Sequence, residues 1–169
     1  MATAIDGLIP AGARAPAFSL PRFDAGEIAV PDAGAKGRTL VVFYKNTCPT
    51  CQLAMPIIQR LHEQVSAAGG RVVAVSQDGM EGAASFAKEM GLTMPVAVDG
   101  PGWPVSRQYD LYAVPTLYLL EKDGTIVRSL AGFHKENLGL MAGELAASVG
   151  AAQPSLYKAT EALPDFKPG

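Results

Sequence analysis

Two thiols separated by two residues, Cys48-Pro49-Thr50-Cys51, are the residues of this sequence best suited to chemistry, and they are its only cysteines. Such a pair can exchange disulfides if one sulfur is a reachable thiolate and the other can displace what the first has bound. The motif follows a strand-like run and begins a helical pattern. This puts Cys48 at the N-cap, where unpaired backbone N–H groups and the positive end of the helix dipole favour a thiolate. Pro49 fits the first helical position because its missing N–H is not needed there. The N–H groups of Thr50 and Cys51 are then free to face the Cys48 sulfur, and one helical turn brings Cys51 within reach of it. Lys45, three residues before Cys48, is a candidate modulator of that thiolate if its ammonium reaches the sulfur. The alternative is that its stem lies along the surface with its ammonium in water.

Other uses of the pair are weaker. A structural zinc site needs four ligands, and only His62 and His134 remain, at no ligand spacing. His62, beside Glu63 and Gln64, reads as a solvated surface residue. A disulfide scaffold is excluded, because two residues between the cysteines staple nothing distant. A second element supports the motif: in Val114-Pro115-Thr116 a proline opens a strand-like run. A cis bond there would expose the Val114 backbone for pairing with an extended partner, although base rates favour trans.

The elements that must position these residues are legible from periodicity. Residues 17–20 and 27–30 suit short extended pieces, and residues 39–44 (TLVVFY) form a central strand apolar on both faces. Leu53, Ile57, Ile58, Leu61 and Val65 recur at helical spacing up to a Gly69-Gly70 stop, with a kink expected at Pro56. A strand over 71–76, a helix over 81–90 and a strand over 95–98 complete a βαβαβ order, which implies parallel pairing and right-handed crossovers. Residues 116–121 and 125–130 flank Lys122-Asp123-Gly124 as an antiparallel hairpin. A last helix runs from about 135 to 149. The fold expected is α/β, a central mixed sheet flanked by helices. Residues 1–150 form one domain, and the Pro-containing tail 151–169 wraps the surface or is disordered.

Composition narrows the functions. The chain has 169 residues, 49% of them apolar, so it can build one sizeable core. A formal net charge of −2, from 14 basic and 16 acidic residues, gives no electrostatic footprint for nucleic acid or an anionic membrane. No apolar run approaches the roughly 20 residues of a membrane span. The N-terminal stretch lacks a basic region followed by an apolar one. A cytoplasmic chain is therefore expected, or an exported one if a signal segment has been removed.

VVFYKNTCPTCQLAMP, VPTLYLLEKDGTIV with Gly132, and the opening GARAPAFSLP resemble the redoxin branch of the thioredoxin superfamily, near TlpA-like and AhpC/TSA-type thiol-disulfide oxidoreductases. The resemblance spans roughly residues 12–149. It implies a thioredoxin-like sheet with an N-terminal extension, an inserted helix and strand near 81–98, and a cis bond before Pro115. It also implies that Cys48 is the exposed nucleophile and Cys51 the resolving thiol. Some of the family's features are missing: Val42 stands where thioredoxins carry a buried Asp, Ala54 where many TlpA-like proteins carry a Glu, and Thr47 where a Trp is common.

The function expected is thiol-disulfide exchange through Cys48 and Cys51, with Pro49 and Thr50 as spacers and Val114, Pro115 and Thr116 contacting substrate. The expected partners are a protein or small-molecule disulfide and an external thiol donor, with no metal or other cofactor and a monomeric chain. A peroxiredoxin-like peroxidase is one alternative, but Val41 and Lys45 stand where its motif has Pro and Thr or Ser. A Sco-like copper chaperone is another, with His134 as a distant ligand, though those proteins place three residues between the cysteines.

Overall fold

A computed structural model describes residues 7–169, so the first six residues of the expected 1–150 domain lie outside it. The strands are β1 (Phe18–Pro21), β2 (Glu27–Val30), β3 (Thr39–Tyr44), β4 (Arg71–Ser76), β5 (Val96–Val98), β6 (Thr116–Leu120), β7 (Ile126–Ala131), β8 (Phe133–His134) and β9 (Phe166–Lys167). The helices are α1 (Pro49–Val65), α2 (Met80–Met90), α3 (Pro104–Gln108) and α4 (Lys135–Ser148). Five strands form the central sheet in the order β5-β4-β3-β6-β7. β3, β4 and β5 pair in parallel, as the βαβαβ order requires, whereas β6 and β7 join antiparallel. This mixed sheet flanked by helices is the architecture expected. Among the described residues, no helix is long and apolar enough to cross a membrane.

All six residues of β3 are buried because the sheet is covered on both faces. Successive side chains of a strand point to opposite sides. Leu40, Val42 and Tyr44 accordingly join Ile58 and Leu61 of α1 and Leu138, Met141 and Leu145 of α4. Val41 and Phe43 face the other way, into a core closed by Phe18, Leu20, Ile28 and Val30 of the β1–β2 hairpin and by Tyr109. Phe43 lies 4.9 Å from Tyr109 and 6.5 Å from Tyr118, ring to ring, in tilted and edge-on arrangements. The strand that presents the motif is thus held from both sides.

The expected boundaries match at β2, β3 and β4 and differ by a single residue at one or both ends of β1, α2, β5, β6, β7 and α4. α1 passes unbroken through Pro56 and ends at Val65, followed by a short 3-10 turn over Ser66–Ala68 and Gly69 at φ +93°. Helix α3 was not expected. Its cap lies outside its own first turn: the buried Asp99 carboxylate accepts from the N–H groups of Val105 (3.0 Å) and Ser106 (2.7 Å). His62 corrects the reading of a solvated side chain. It is half-buried, its Nδ1 has no partner among the described residues, and burial pushes its imidazole pKa down.

Residues 151–169 lie along α1 and α4. Leu156 enters the main core at 4% exposure. Arg60 on α1 donates to both Glu161 carboxylate oxygens, at 2.6 and 2.8 Å, which draws that carboxyl down to about 2. Phe166–Lys167 then pairs antiparallel with Phe133–His134.

Candidate active site

Cys48 caps α1, as its position in the sequence suggests. Its backbone is extended (φ −84°, ψ 116°), Pro49 occupies the first turn, and Cys51 N–H donates to Cys48 Sγ at 3.2 Å. The loop that delivers it is pinned in several places. Cys48 N–H donates to the Lys45 carbonyl (3.2 Å), Asn46 N–H to Asp78 (2.8 Å) and the Asn46 amide to the Gly82 carbonyl (2.9 Å). Gln52 reaches back to the Asn46 carbonyl at 2.8 Å.

The two sulfurs have different surroundings. Cys48 is half-buried, with Thr47 and Pro49 exposed on either side of it. Cys51 is fully buried beneath it. Burial raises the Cys51 thiol far into the alkaline range; a backbone hydrogen bond from Lys45 opposes this, while the nearby Cys48 and Asp78 reinforce it. Val42 and Ala54 are buried apolar members of the same core, so neither position supplies a carboxylate.

The structure brings Val114, Pro115 and Thr116 to the motif. The Val114–Pro115 peptide is cis. The Cys48 thiol donates to the Val114 carbonyl at 3.3 Å, which joins the two halves of the site directly. Thr116 is buried at the start of β6, and its hydroxyl donates to the Ala113 carbonyl at 2.7 Å. The Lys45 ammonium lies 5.3 Å from the centre of the Trp103 ring. His134 stacks on Phe166, with ring centres 4.4 Å apart.

Sequence reasoning missed two neighbours of the motif. Trp103 is exposed, sits at φ +54° in the left-handed region, and donates from its indole to the Gln77 carbonyl at 2.7 Å. Such a backbone conformation costs a bulky residue about 1–3 kcal/mol and is concentrated at functional sites. With Lys45, Arg107, Tyr112 and Val114, Trp103 lines a surface cleft of about 430 Å³. The signal for it was Trp within the turn-forming run Gly100-Pro101-Gly102-Trp103-Pro104. The other neighbour is Pro168, whose carbonyl accepts from the Thr50 hydroxyl at 2.6 Å. No local pattern marks that contact, because 118 positions separate the partners.

A mixed five-stranded sheet whose central strand leads into a helix capped by the first cysteine of a Cys-x-x-Cys pair, with a cis-proline loop opposite, defines the thioredoxin-like class. Within it, the chain belongs to the AhpC/TSA family, whose model matches residues 11–129. A thiol-disulfide oxidoreductase ResA of Bacillus cereus is 30% identical over 122 residues, covering 72% of this chain and 69% of that protein. Among solved structures, StoA from Bacillus subtilis superposes with a TM-score of 0.63 at 22% identity, covering 75% of this chain and 96% of that one. Peroxidoxin BcpB from Mycobacterium tuberculosis shares the fold with a TM-score of 0.70 at 17% identity, covering 82% and 97%.

Proposed function

We propose that this protein is a thiol-disulfide oxidoreductase in which Cys48 reacts first and Cys51 resolves. The observation that carries the reading is the asymmetry of the pair: Cys48 is half-open at a helix N-terminus, and Cys51 is fully buried behind it. Thiol-disulfide exchange is also the activity named for its ResA relatives.

The Cys48 thiolate attacks one sulfur of a substrate disulfide. A bond forms between Cys48 Sγ and that sulfur, the substrate S–S bond breaks, and one substrate thiolate leaves. Cys51 then gives up its proton and attacks Cys48 Sγ, which expels the second substrate thiolate and closes the Cys48–Cys51 disulfide. The substrate gains two electrons and the pair loses two. An external dithiol returns them by the same steps in reverse. The Cys51 N–H stabilises negative charge on Cys48 Sγ, both as the incoming nucleophile and as the leaving group of the reverse reaction.

Equilibration against glutathione redox buffers tests this. The protein should titrate as a single two-electron couple, with both cysteines protected from alkylation together in the oxidised form. The potential expected lies within the span of this fold, from about −270 to about −120 mV. A protein in which both thiols remain alkylatable at every glutathione ratio would contradict the proposal.

A further inference from the structure

Residues 165–169 cross the molecule between the motif helix and the cis-proline loop. The Asp165 carbonyl accepts from Lys135 N–H at 3.0 Å, and Phe166 and Lys167 add a strand to the edge formed by Phe133 and His134. The Pro168 carbonyl takes the hydroxyl of Thr50, a motif residue only 2% exposed. Gly169 packs on the Val114 backbone so closely that a Cβ there would overlap the Val114 carbonyl. Gly132, at φ +79°, lets the segment pass: a Cβ at that position would stand 2.8 Å from the Lys167 carbonyl. Upstream, Leu156 and the Arg60–Glu161 pair anchor the chain independently of these five residues.

Building on the redox reading above, we propose that residues 165–169 form a specificity-determining strap that competes with polypeptide substrates for the groove between Thr50, Gly132 and Val114. A polypeptide must lay extended backbone beside Val114 to bring its disulfide onto Cys48, and the strap fills that path. A small disulfide needs no such pairing and reaches Cys48 Sγ from the open side, between exposed Thr47 and Pro49. The protein therefore favours small disulfides unless the strap lifts. A strap docked about nine-tenths of the time leaves about a tenth of the molecules competent for a polypeptide, which lowers apparent affinity about tenfold.

The test compares second-order rate constants for the reduced protein with insulin, a disulfide-bonded polypeptide, and with cystamine, a small disulfide. A chain cut after Pro164 keeps both upstream anchors. It should react about tenfold faster with insulin while its cystamine constant changes less than about twofold. Phe166→Ala should move the insulin constant in the same direction by a smaller factor. This variant keeps the test in a full-length chain, because the ring it removes is half-exposed and stacks on His134. A synthetic peptide of residues 164–169 added to the cut chain should restore the slower insulin reaction. Rate constants that are unchanged by the cut, or that rise together for both disulfides, overturn the strap while leaving exchange through Cys48 intact. Failure of the full chain to react with either disulfide overturns the redox reading and the strap with it.

Discussion

Cys51→Ser protein exposed to a disulfide-bonded peptide should accumulate a stable mixed disulfide on Cys48, and Cys48→Ser protein should accumulate none. The expectation rests on access. Cys48 Sγ is half-open at the start of α1, whereas Cys51 has no exposed surface. Removing Cys51 leaves the first attack in place and deletes the group that would displace the bound peptide. Removing Cys48 deletes the reachable nucleophile and should slow reaction with disulfides by on the order of 10³-fold or more, as losses of catalytic nucleophiles do. Mass spectrometry of both variants decides the matter, and equal trapping by the two would refute the division of labour.

Closure of the Cys48–Cys51 disulfide should be steeply pH-dependent. Burial raises the Cys51 pKa, so the resolving sulfur is a neutral thiol across the ordinary range and its reactive thiolate is a small fraction that grows with pH. Below the pKa that fraction rises about tenfold per pH unit, and the closing rate should follow it. The groups nearby do not relieve this. Val42 and Ala54 are apolar, the charge of Asp78 disfavours the thiolate further, and the Tyr44 hydroxyl is itself pushed up to about 12 by burial. Rapid-quench alkylation of a mixed disulfide preformed on Cys48 should therefore show closure accelerating from pH 6 to pH 9 without a plateau. A plateau below pH 8 would reveal a base that takes the Cys51 proton.

What was readable in the sequence was whatever local pattern controls. The run TLVVFY announced a strand buried on both faces, and the cysteine-proline start of α1 announced its own cap. The hairpin turn at Lys122-Asp123-Gly124 was legible because Gly124 takes φ +93° there. What was missed depends on contacts across the chain. α3 has only five residues and draws its capping carboxylate from Asp99, before the turn that precedes it. α1 runs through Pro56 and stops at Val65, a 3-10 turn earlier than the Gly69-Gly70 stop that the sequence marks. The path of residues 165–169 over the motif rests on partners such as Thr50 and Phe133, which no periodicity in a Pro-containing stretch can indicate. Within the site, the sequence located Cys48, Cys51 and Val114, while Trp103 and Pro168 emerged only once the fold had brought them there.

The central claim is that one pair of sulfurs carries two electrons to a substrate disulfide. The most direct test mixes fully reduced protein with a large excess of a disulfide-bonded peptide, which drives even a couple at the oxidising end of the fold's span, and follows the intact masses of both. The account predicts that the protein loses two hydrogens, with Cys48 joined to Cys51 in the peptide map, while an equal amount of the peptide gains two hydrogens as a dithiol. A protein that keeps its mass and both free thiols while the peptide remains oxidised would contradict it.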